Sequence, residues 1–147
     1  MESEGRRALA TARWIVTLTY VVALVVLPMA GRLFQVQAAI DAEELRILAF
    51  VLAMVALGDY AISLLLEHRL LAQARAAAET KSGHDSVVTT AVVVAALGAS
   101  LAVYGLVLTL LGAPMWGAVC YVLCAIHGLH LMIRWPRYQR AAERAPY

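Results

Sequence analysis

Four apolar runs dominate this chain: Trp14 to Ala30, Leu45 to Leu66, Val87 to Leu111 and Met115 to Ile133. A hydrocarbon core about 30 Å thick is crossed by about 20 residues of helix, so each run reaches or nearly reaches a membrane-spanning length. The first is the shortest and extends through Leu33, Phe34 and Val36. It is longer than the apolar core of a signal peptide, and "LPMAGRLF" is a poor cleavage site, so it is read as a span. Composition agrees. Of the 147 residues 63% are hydrophobic and 15% charged, whereas soluble domains carry about 25% charged residues.

Charge placement gives the threading. Lys and Arg number three in residues 1–13, two in 31–46, three in 67–86, none in 112–114 and four in 134–147. Ten of the twelve therefore lie on the side shared by the two termini and the middle loop. The positive-inside bias makes that side cytoplasmic. Nine of the ten acids also lie between or beyond the runs. The tenth, Asp59 in "VALGDYAISLLL", is the only formal charge expected inside the hydrocarbon. The fold expected is an all-α bundle of four transmembrane helices, a single domain with both termini cytoplasmic. A compact, Ala/Val/Leu-rich chain of this kind fits a bacterial inner membrane.

Local signals refine the map. "DAEE", Asp41 to Glu44, reads as a capping box that opens the second helix. That helix is expected to continue past the membrane through about 67–82, because "EHRLLAQARAAAETK" contains good helix formers and no Pro or Gly. Gly83 is the expected stop, and Asp85 or Ser86 the expected cap of the third helix. "GAP", residues 112–114, reads as a tight turn with Pro114 in the first turn of the fourth helix. Trp14 and Trp135 are placed as anchors at the inner interface and Trp116 at the outer one. The basic tail from Pro136 is expected to be solvated.

Depth follows from a rise of about 1.5 Å per residue. Asp59 precedes Glu67 by eight residues, His127 precedes Arg134 by seven, and Tyr20 follows Arg13 by seven. All three polar groups therefore lie about 12 Å or slightly less from the inner surface. An acid at mid-helix costs about 2.5–3.5 kcal/mol on insertion scales, less if it faces the bundle and finds a donor. The expected arrangement pairs Asp59 with His127, with Tyr20 or Ser100 as a further donor. The competing reading makes Asp59 a protonated, silent contact between helices.

The fourth run carries "CYVLCAIHGLH". At about 100° per residue Cys120, Cys124 and His127 share a face, with His130 turned about 80° away. Thiolate and imidazole ligands suit zinc or copper, and an imidazole suits haem iron. A closed metal site needs three or four ligands, and no other run carries a His or Cys. The alternative function class is therefore a haem- or metal-binding redox subunit using His127 and His130. The preferred expectation is no cofactor, with the cysteines acting as small buried side chains. The middle segment's Glu67, His68, Arg69 and His84 are expected to be solvated. In the third run Gly98-x-x-x-Ala102, followed by Gly105, permits close helix contact, at the centre of the bundle or at a homo-oligomer interface.

"ALGASLAVYGLVLTLLG", residues 96–112, resembles the second helix of the proteolipid ring subunits of rotary ATPases. In that family an acid precedes a Tyr-Gly-Leu-Val-type segment, matched here by Tyr104, Gly105, Leu106 and Val107. The resemblance covers 17 residues. The family's ion-carrying acid would align near Ala99 or Ser100 and is missing, as is a glycine ladder in an earlier helix. It implies a chain that packs like a proteolipid without carrying an ion at that position. "VALGDY" and "AALGAS" share Ala-Leu-Gly at an offset of 40, so a repeat would place the acid in one half only.

No phosphate loop, nucleophile elbow or metalloprotease motif is present, so an enzyme is not the expected class. The net charge of +2 follows the threading and gives no support to nucleic-acid binding. The expected function is a transport-related or membrane-complex accessory subunit organised around an intramembrane acid, with lipid and a second copy or another subunit as partners. The threading is checked by single cysteines at Gln37 and Ser82 in a background lacking Cys120 and Cys124. Gln37 should react with an impermeant reagent on intact cells and Ser82 should not.

Overall fold

The computed structural model describes residues 2–34, 41–77 and 83–143. It is built of helices: α1 (Glu2–Val21), a π-helical turn (Val22–Val26), α2 (Leu27–Leu33), α3 (Ala42–Ala77), α4 (Gly83–Leu110) and α5 (Pro114–Glu143). Four helical stretches are long and apolar enough to cross a membrane: Arg7–Leu33, Ala42–Gln73, Ser86–Leu110 and Pro114–Arg140. These cover the expected spans except Leu111, and extend the first toward the N-terminus and the second and fourth toward the C-terminus. Gln37 and Ser82 lie outside the described residues, as does the end of the expected 67–82 extension. α3 continues through Ala77.

The first span is one path with a local change of winding. Pro28 lacks the N–H that would pair with the carbonyl four residues back, and its ring would crowd that carbonyl. The preceding turn is widened, and Leu27 N–H donates to Val22 O, five residues back. A π turn is the expected relief of such a clash. Gly83 opens α4 instead of ending α3, so Asp85 and Ser86 lie within the first turn of α4 and do not precede it. The turn at 112–114 matches its expected shape. Gly112 has φ +89°, its N–H donates to Thr109 O at 3.2 Å, and Ala113 N–H donates to Leu108 O at 2.8 Å. That is the Schellman pattern, with glycine in the left-handed position it requires. Pro114 then starts α5.

α4 lies against α1, α2, α3 and α5 and forms the centre of the bundle. Its buried side are Val87, Ala91, Val94, Ala95, Leu101, Ala102 and Leu108. Lipid tails are as apolar as these side chains, so close packing must hold the helices together. Small residues provide it. A Cβ at Gly105 would sit 3.0 Å from Gly117 O, and one at Gly117 would sit 2.7 Å from Gly105 O. The backbones of α4 and α5 therefore touch near the turn at 112–114. Trp135 departs from its expected role. It is 3% exposed and stacks on Tyr138 at 5.7 Å, a packing residue instead of an interface anchor. Trp14 is 75% exposed.

Two glycines give opposite predictions. Gly58 is exposed, and a Cβ there meets nothing within 4 Å. Gly58→Ala should stabilise by about 0.5–1 kcal/mol through helix propensity alone. A Cβ at Gly98 would collide with His127 Nδ1 and the Tyr20 hydroxyl. Gly98→Ala should destabilise by about 1–3 kcal/mol as overpacking. Melting temperatures of the two variants in one detergent, moving in opposite directions, are the check.

Candidate functional site

Tyr20, the penultimate residue of α1, points into the bundle. Its hydroxyl shares a 2.5 Å hydrogen bond with His127 Nδ1 of α5. The rings lie nearly parallel with centroids 6.2 Å apart, and Tyr60 of α3 sets its ring edge against the imidazole at 5.8 Å. The contact needs room, and glycines leave it. Gly98 of α4 lies under the bond itself, and a Cβ at Gly128 would stand 2.8 Å from the Tyr20 ring. His127 is 1% exposed. Its Nε2 has no hydrogen-bond partner among the described residues.

Asp59 does not join this pair. It accepts a 2.6 Å hydrogen bond from the Tyr104 hydroxyl of α4, and both side chains are half-buried. The correction is rotational. Residues 59 and 60 project about 100° apart around α3. Tyr60 takes the flank facing α5 and His127, which leaves Asp59 on the flank facing α4. Ser100 is no further donor, because its hydroxyl is spent on Leu97 O of its own helix at 2.6 Å. The expected layer of Asp59, His127, Tyr20 and Ser100 thus divides into one buried pair, one flank pair and one self-satisfied hydroxyl.

A third group lies nearer the end of the bundle. Glu67, expected among solvated residues, is 1% exposed. Its Oε2 accepts from His130 Nε2 at 3.2 Å and from Arg134 Nη1 at 3.3 Å. These two partners are 29% and 32% exposed. Tyr138 is close enough to Glu67 to interact with it, yet neither the Tyr138 hydroxyl nor Glu67 Oε1 has a well-aligned partner among the described residues. Sequence reasoning used Glu67 and Arg134 only as markers of the membrane surface. The signal was available in that use: His130 and Arg134 are one turn apart on α5, at the level of Glu67, with complementary charge. His68 and Arg69 are exposed, as expected. His84's side chain lies outside the described residues.

Cys120 and Cys124 are free thiols, fully buried, on the face of α5 that leads to His127. Among the described residues no three His, Cys, Asp or Glu side chains converge on a point that could hold a metal ion. Gly98 and Ala102 both face inward, within the bundle. Comparison of the chain with protein families, with curated proteins and with solved structures returns no match.

The pairing is testable by double-mutant cycles in melting free energy. Asp59→Leu and Tyr104→Phe should couple by about 0.6 kcal/mol and at most about 1.7 kcal/mol, the range for hydrogen bonds between membrane helices. Asp59→Leu and His127→Gln should add within about 0.5 kcal/mol. Coupling in the second cycle alone would return Asp59 to His127.

Proposed function

We propose that this protein is a small polytopic subunit of a bacterial inner membrane, its termini cytoplasmic. In this reading it is transport-related, or accessory to a membrane complex, and works through Asp59. The observation that carries the reading is the hydrogen bond from Tyr104 to Asp59 on the outer flank of α3 and α4. A carboxyl group half-open to hydrocarbon is costly when ionised and is kept where it exchanges a proton or ion or meets a partner. Tyr104 satisfies one oxygen of Asp59 and leaves the group reachable from the side.

The resemblance of residues 96–112 to proteolipid helices supports the same reading. Tyr104 belongs to the Tyr-Gly-Leu-Val segment, and in this reading the acid it works with is Asp59 of the neighbouring helix, to which its hydroxyl donates. The buried Glu67, about 80° away around α3, and His127 of α5 play no part in this exchange.

A hydrophobic carbodiimide reacts with a protonated carboxyl group from the lipid phase, which makes it the appropriate probe. Wild-type protein in liposomes should be modified at Asp59, located by peptide mass spectrometry. Tyr104→Phe should change the yield, because it removes the hydroxyl that occupies Asp59 Oδ2. Modification at Glu67 with Asp59 untouched would overturn the assignment.

A further inference from the structure

We propose that His130, Glu67 and His127 form a proton-entry route that opens at the end of the bundle carrying Glu67 and Arg134 and ends at the Tyr20–His127 pair. Its ligand is the proton, delivered by water. The route is independent of proton or ion exchange at Asp59, which projects about 80° from Glu67 around α3 and bonds to α4.

Accessibility is graded along α5. His130 and Arg134 are about a third exposed, while the acid they share is buried. His127 lies one turn further in and is buried as well. Beyond it the same face carries Cys124 and Cys120, packed with the buried Ala23, Leu101 and Ala102, and no group there readily takes a proton. The groups that face His127 are Tyr20 from α1, Tyr60 from α3 and Gly98 from α4, and His130 with Glu67 lies toward the mouth.

The second observation is where the unpartnered atoms fall. Of the buried polar atoms without a partner among the described residues, three belong to this cluster: His127 Nε2, Glu67 Oε1 and the Tyr138 hydroxyl. A buried polar atom left unpaired is costly. The route uses the free atom of the acid and the free atom of the imidazole, with a water between them in the manner of buried waters at unpaired polar groups.

The step balances with the protein's own groups. A proton from bulk water adds to His130 at Nδ1, and His130 passes its Nε2 proton to Glu67 Oε2. His130 is then neutral and Glu67 is a neutral carboxylic acid beside Arg134. Rotation about the Glu67 Cγ–Cδ bond brings that proton to the side of Oε1. It leaves to water, which gives one of its own protons to His127 Nε2. His127, whose Nδ1–H donates to Tyr20 in the receiving tautomer, becomes imidazolium, and Glu67 is again a carboxylate held by Arg134. One proton has moved from bulk water to His127, and His130 is left as its Nδ1–H tautomer, which exchange of its ring protons with bulk water at the half-exposed mouth returns to the Nε2–H form.

The experiment follows His127 directly. The protein labelled with 15N-histidine is placed in lipid nanodiscs, the His127 ring signals are assigned by their loss in His127→Gln, and exchange of the ring protons with D2O is timed by NMR. Glu67→Gln and His130→Phe should each slow that exchange by about a hundredfold, the low end of what a positioned acid–base group contributes. Asp59→Asn should leave it unchanged, which separates this route from the flank acid. If Glu67→Gln does not fold by circular dichroism, His130→Phe at its half-exposed position gives the reading alone. Exchange within twofold of wild type in His130→Phe, or slowing by Asp59→Asn equal to that by His130→Phe, overturns the proposal.

Discussion

The hydrogen bond between Tyr20 and His127 is the contact on which the arrangement of the bundle turns. It joins the first span to the last across the central helix, and Tyr60 closes on the imidazole from α3. Four helices are thus referenced to one ring. In lipid, apolar side chains gain little by leaving the solvent, so the relative rotation of helices is set by close contacts and polar pairs. Gly98 and Gly128 make this one possible by giving up their side-chain volume on either side of Tyr20. A methyl group at either position would part the rings and release α1 from the bundle.

Once His127 is committed to Tyr20 and Tyr60, the two intramembrane acids are forced into different surroundings. Asp59 is turned to the α3–α4 flank, half-open, with a phenol as its donor. Glu67 is two turns further along α3 and faces inward, where Arg134 and His130 reach it from α5. Burying a carboxylate is tolerable only with paired charge and hydrogen bonds, and Arg134 supplies the charge. The flank acid has no cation beside it among the described residues. One helix therefore presents two acids in different settings, about 12 Å apart along its axis.

The backbone contributes in two places. The π turn before Pro28 lets α1 and α2 continue as one span without a broken path, so Tyr20 stays deep while Gly31 still packs against Thr109 of α4. The Schellman turn at Gly112 brings α5 straight back along α4, and the contact of Gly105 with Gly117 holds the ends near that turn at backbone distance. Toward the other end of the bundle lie the longer side chains of Glu67, His130, Arg134, Trp135 and Tyr138.

The sequence by itself determined the quantities that run along a single dimension. Apolar run length set the four spans, Gly112 and Pro114 set the turn between α4 and α5, and a constant rise per residue put Tyr20, Asp59 and His127 at one depth. It also marked Gly98 as a place of close approach. Which groups meet at that depth was decided only by the tertiary structure, because pairing depends on the rotation of each helix about its axis. A rotation of about 100° separates Asp59 from Tyr60, and that single step exchanges His127 for Tyr104 as the partner of the acid. Glu67 was misread for the same reason. Its charge indicated surface, while its azimuth, fixed by packing against α5, turned it to the interior.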